Sequence, residues 1–98
     1  MSWAALYIAD LKEGRTVRFR PRGHSMTPLI QSGELCTVEP RTVELVNAGD
    51  VVLCKVRGNV YLHKVLAKRG LQVQIGNNHG HVNGWTRTVY GKLVKVEP

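Results

Sequence analysis

Ser25 and His63 are the two side chains whose types and settings offer the clearest chemistry. Ser25 stands in Gly23-His24-Ser25-Met26-Thr27-Pro28. Glycine reaches backbone angles closed to other residues and proline stiffens the exit, so a serine between them is exposed without being mobile. Backbone N–H groups in such a turn, here those of Ser25 and Met26, can face the space beside the hydroxyl and stabilise an oxyanion. His63 lies in Val60-Tyr61-Leu62-His63-Lys64-Val65-Leu66. An unperturbed imidazole titrates near about 6.5, so at neutral pH it can accept a serine proton. A hydroxyl and an imidazole brought together would perform acyl transfer. Taken singly, each has a plainer reading, a polar loop serine and a hydrogen-bonded core histidine.

The elements that must position them are mostly strands. Residues 2–12 place Trp3, Leu6, Tyr7 and Leu11 near helical spacing, and Gly14 ends that pattern. We read residues 1–14 as an N-terminal helical arm and 15–98 as the domain proper. Thr16-Val17-Arg18-Phe19-Arg20 alternates apolar and basic, as a half-buried strand does. A turn-rich stretch from Gly23 to Gly33 carries Ser25, and Glu34–Glu39 is the next strand, closed by Pro40. Val51–Val56 is apolar enough for a strand covered on both faces. Arg57-Gly58-Asn59 turns the chain back into Val60–Leu66, where period-two geometry puts His63 on one face with Tyr61 and Val65, and Lys64 on the other. Leu71–Ile75 is a further strand, Gly76–Gly84 a loop of Gly, Asn and His, and Thr88–Val96 a last strand or two. The expected fold is all-β, a twisted sheet or partly open barrel with one short N-terminal helix.

Size and composition set the bounds. Ninety-eight residues make one domain, and an apolar fraction of 43% supports a core without metal or disulfide staples. No run approaches the ~18 apolar residues that cross a bilayer. The opening Met1–Ala9 segment lacks a basic leader and meets Asp10 too soon for a signal peptide. Cys36 and Cys54 each sit in apolar runs, which favours reduced, buried thiols and a cytoplasmic protein; a disulfide between them is the alternative. The net charge of +7 would attract nucleic acid or an anionic surface, but the basic residues are dispersed along strands with no recognition-helix pattern. His79 and His81, with His24 or Cys36, are too few convergent ligands for zinc, and no metal or cofactor is expected.

The order of the motifs adds to this. Ser25-Met26-Thr27-Pro28, then Gly49-Asp50-Val51-Val52, then His63-Lys64-Val65, then Gly76-Asn77-Asn78 resembles the LexA/UmuD/signal-peptidase clan of serine peptidases, from about Val17 to the C terminus. The resemblance implies Ser25 as nucleophile and His63 as base, in the histidine-base variant found in archaeal and endoplasmic-reticulum signal peptidases. Lys64 falls where those enzymes carry a basic neighbour; as an alternative base it requires a one-residue register change. The resemblance also implies a peptide substrate docked as an added strand, with small side chains near the serine. One departure stands out. The family's Gly-Asp-Asn carboxylate is absent from Gly76-Asn77-Asn78, and no Asp or Glu lies between Leu45 and Glu97 except Asp50. Asn77 or Asn83 is then the candidate for orienting the imidazole, without compensating charge. Asp50 is read as turn structure, and Ala48-Gly49, downstream of Ser25, as no self-cleavage site. The expected function is a serine endopeptidase, of full or low activity, acting on a protein or peptide; the alternative is an inactive relative that binds nucleic acid or protein.

Overall fold

A computed structural model describes residues 3–98. Its elements are one helix, α1 (Ala5–Lys12), a 3-10 turn (Val43–Leu45), and seven strands: β1 (Val17–Phe19), β2 (Leu35–Pro40), β3 (Val51–Val56), β4 (Asn59–Arg69), β5 (Gln72–Gly76), β6 (Val82–Thr86) and β7 (Thr88–Glu97). The strands form a single antiparallel sheet in the order β1-β2-β7-β3-β4-β5-β6, which is not closed into a barrel. The mainly-β expectation with one short helix is therefore met. Ser2, the expected first helical residue, lies outside the described residues.

The sheet carries a core on each face. Val51 and Leu53 point to one side, with Val17, Phe19, Cys36, Val38 and Leu62. Val52, Cys54 and Val56 point to the other, with Val65, Val73, Ile75 and Val89. This explains the near-continuous apolar run of β3, since both of its faces are buried. Helix α1 covers the first face through Leu11, Tyr7 and Ile8, and its Tyr7 ring stacks on Phe19 at a centroid distance of 4.7 Å. The turn that carries Ser25 is pinned to the same face by Met26 and Ile30, both buried. Cys36 and Cys54 lie on opposite faces as free thiols, so no disulfide joins them. Burial pushes them up to about 11 and about 12 respectively, keeping both protonated and inert.

The β3–β4 hairpin fixes the register that matters. Its two-residue turn places Arg57 at φ 51° and Gly58 at φ 84°, the left-handed pair that matches strand twist. Val56 then pairs with Asn59, and counting back pairs Val52 with His63 and Val51 with Lys64. Beyond Lys64 the strand pairs with β5, starting at Lys64↔Gly76. Residues 59–63 are thus laddered to β3 on one side only.

One element differs from expectation. The segment read as loop up to Gly84 enters β6 at Val82, paired through Ile75↔Gly84 and Gln74↔Trp85 with a bulge beside Gly76. Asn and Gly are poor strand formers, and here tertiary pairing overrides them. The final segment, expected as one strand or two, is one strand, and it lies inside the sheet between β2 and β3.

Gly91 marks where that strand is crossed most closely. A Cβ there would sit 2.7 Å from both the Glu39 carbonyl oxygen and Val38 Cγ1, neither of which can swing away. Gly91→Ala is expected to lower unfolding free energy by about 2 kcal/mol, measured by urea denaturation. An unchanged midpoint would contradict this packing.

Candidate active site

His63 is buried in the middle of β4, with its ring stacked on that of Tyr61 at 4.8 Å and 24°. Its Nδ1 lies 2.8 Å from Asn83 Oδ1 and its Nε2 lies 3.2 Å from Ser25 Oγ. An amide oxygen only accepts, so Nδ1 carries the proton and donates to Asn83. In the neutral ring Nε2 is then the bare nitrogen, and the Ser25 hydroxyl donates to it. Serine, histidine and asparagine stand in one hydrogen-bonded line.

Each member is held by a different part of the fold. Ser25 is exposed on a turn whose entry, Gly23, has φ 112° and donates its N–H to Ser32 Oγ at 3.1 Å. His63 is set by the hairpin register. Asn83 comes from β6, one residue before Gly84, whose backbone lies against Val56 and Arg57.

The loop between β5 and β6 clamps the serine turn from above. Asn78 donates its backbone N–H to the Ser25 carbonyl at 2.9 Å and its side-chain Nδ2 to the Thr27 carbonyl at 3.0 Å. His79 Nε2 donates to the His24 carbonyl at 2.9 Å and lies 2.8 Å from Thr27 Oγ1. Asn77 does not reach His63. Its Oδ1 instead accepts the N–H groups of His79 and His81, at 2.8 and 3.0 Å, and shapes the loop. Gly76 at the loop's base has no room for a Cβ, which would fall 2.5 Å from the His81 carbonyl oxygen. The sequence named Asn77 and Asn83 but missed the clamping roles of Asn78 and His79, because both bond main-chain carbonyls about fifty residues away and leave no local pattern.

The remaining candidates fall elsewhere. Lys64 alternates with His63 along the strand and lies opposite Val51, so the two side chains leave opposite faces of the sheet; among the described residues it is His63, not Lys64, that is hydrogen-bonded to Ser25. Asp50 accepts the Asn47 N–H at 2.9 Å and pairs with Lys92 at 3.5 Å, a turn role rather than a partner for the imidazole. His79 is committed to the serine turn and Cys36 is buried in the sheet; no group of three or more ligating side chains converges among the described residues. The N–H groups of Ser25 and Met26 donate no hydrogen bond among the described residues. No helix among the described residues is long and apolar enough to cross a membrane.

A cleft of about 490 Å³ opens beside Ser25 and His63. It runs along the one-sided stretch of β4 and takes in four consecutive residues, Val60 to His63. In a two-residue hairpin the closing pair, Val56 and Asn59, exchanges both hydrogen bonds, so alternate residues Val60 and Leu62 turn their N–H and C=O groups outward to this cleft. Its opposite wall is the exit of β1, an edge strand of the sheet.

No protein-family model matches the chain, and no curated protein is significantly similar to it.

Burial lowers the His63 pKa below its ordinary 6.5; the Asn83 hydrogen bond opposes that and the nearby His81 adds to it. The imidazole is therefore neutral at pH 7 and free to accept a proton. The fold binds the proton less tightly than the unfolded chain does, so this histidine's contribution to stability is lost as pH falls below about 6.5. An NMR titration of the His63 ring is expected to give a midpoint below 6.5, lower still in Asn83→Ala and higher in Asn83→Asp. A midpoint above 6.5 in the wild type would contradict the burial argument.

Proposed function

We propose that the protein is a serine endopeptidase of the LexA/signal-peptidase type, in its histidine-base form, with Ser25 as nucleophile, His63 as general base and Asn83 as the residue that orients it. The observation that carries this reading is the pair of contacts on one imidazole, 3.2 Å to Ser25 Oγ and 2.8 Å to Asn83 Oδ1. A buried histidine bonded only to structural partners would not present a bare nitrogen to an exposed serine.

In this mechanism His63 Nε2 takes the Ser25 proton as Oγ forms a bond to a peptide carbonyl carbon. The carbonyl oxygen becomes an oxyanion, held by the unengaged N–H groups of Ser25 and Met26. As the tetrahedral adduct collapses, the C–N bond breaks and the imidazolium gives its proton to the departing amine. Water then attacks the acyl ester, with His63 again as base, and releases the acid and free Ser25. The substrate backbone adds as a strand along the outward groups of Val60 and Leu62.

Asn83 fixes the tautomer but supplies no negative charge to the imidazolium, and burial further disfavours that cation. Turnover is accordingly slow. The same feature favours a second reading, a silent relative that holds nucleic acid or protein on its basic surface, for which a base-competent serine is irrelevant.

A fluorophosphonate probe separates the two. Labelling at Ser25 is expected in the wild type, absent in Ser25→Ala, and slower by about 10²–10⁴-fold in His63→Ala. Asn83→Asp is expected to accelerate it. Equal labelling in wild type and His63→Ala would remove the dyad, and salt-sensitive DNA binding indifferent to both substitutions would establish the binding module instead.

A further inference from the structure

The cleft beside Ser25 has an aromatic wall and a basic rim. Trp3, Tyr7 and Phe19 form the wall: Tyr7 stacks on Phe19, and Trp3 tilts against it at 5.6 Å while remaining 53% exposed. Half of an indole left open over two packed rings is apolar surface that a bulky side chain would cover. Arg20 and Arg22 form the rim, and no Asp or Glu lines the cleft among the described residues. Arg20 spends one nitrogen on the Gly33 carbonyl at 2.9 Å, and Arg22 has no acceptor among the described residues. The acids that do form ion pairs among the described residues are taken by other cations, Asp10 and Glu13 by Arg15, Glu39 by Arg41, Asp50 by Lys92 and Glu97 by Lys95. The rim arginines are thus uncompensated, and a guanidinium with free N–H donors matches a carboxylate in both charge and geometry.

We propose that this cleft selects peptide segments carrying an acidic side chain and a bulky apolar side chain close to one another, the carboxylate on Arg20 and Arg22 and the apolar group on the Trp3–Phe19 wall. That such a segment is also cut there rests on the peptidase reading; its binding does not. Strand addition along Val60 and Leu62 supplies affinity without regard to sequence, so the two walls supply the selection.

The test uses fluorescein-labelled octapeptides in matched sets, with Glu, Gln or Lys beside a central Leu or Phe, titrated by anisotropy against the full Ser25→Ala chain. Glu peptides are expected to bind more tightly than their Lys counterparts by about fivefold to tenfold at low salt, and the gap should narrow at ~0.5 M salt. Arg22→Glu should reverse the order, and Trp3→Ala should weaken the Leu and Phe peptides while sparing an Ala set. Equal affinity for Glu and Lys peptides, tighter Lys peptides, or no binding by any set overturns the inference. Fluorophosphonate labelling of the wild type reads the other claim. Labelled Ser25 without a charge preference leaves the peptidase and removes the selectivity; a preserved Glu preference without labelling does the reverse.

Discussion

A slip of one residue between β3 and β4 would present Ser25 with an ammonium instead of an imidazole. In most half-buried strands the hydrophobic pattern forbids such a slip, because it would turn the apolar face to water. Here that protection is weak, since β3 is buried on both faces and Val51, Val52, Leu53 and Cys54 would be acceptable either way round. The Arg57–Gly58 turn has to supply the register instead. Its left-handed angles close the hairpin on Val56 and Asn59, and everything downstream follows from that count: His63 opposite Val52, Lys64 opposite Val51, and Val60 and Leu62 with their backbone groups facing the cleft.

Around that fixed imidazole the fold makes a compromise. Burial and the stacked Tyr61 ring hold the side chain still, and the Asn83 oxygen selects the tautomer that leaves Nε2 bare. The same burial lowers the proton affinity of the ring, and the amide offers only a dipole in return. A carboxylate at this position would add a charge that strengthens as the imidazolium forms. The site is therefore ordered for proton transfer but only modestly driven towards it. The serine, by contrast, is exposed and held from outside by Asn78 and His79, so its position depends on a loop whose own shape depends on Asn77 and on the missing side chain of Gly76.

Much of this arrangement is legible in the sequence, and what is not has physical causes. The β3–β4 hairpin is readable because Arg57-Gly58-Asn59 interrupts two apolar runs, and the faces of His63 and Lys64 follow from strand periodicity alone. The choice between Asn77 and Asn83 is not readable. Both lie in one Gly- and Asn-rich segment, and what distinguishes them is that β6 begins at Val82, a strand imposed by pairing with β5 against local propensity. The sheet order, with β7 between β2 and β3, is set by contacts between distant segments, as is the docking of α1, whose Tyr7 lines the cleft as well as covering the core.

Everything proposed for Ser25 requires His63 to carry its proton on Nδ1 and keep Nε2 bare. Long-range ¹H–¹⁵N correlation of the imidazole at neutral pH reads this directly. The expected result is a protonated Nδ1 bonded to Asn83 and an unprotonated Nε2; a ring protonated on Nε2, donating to the serine, would overturn the assignment of His63 as base.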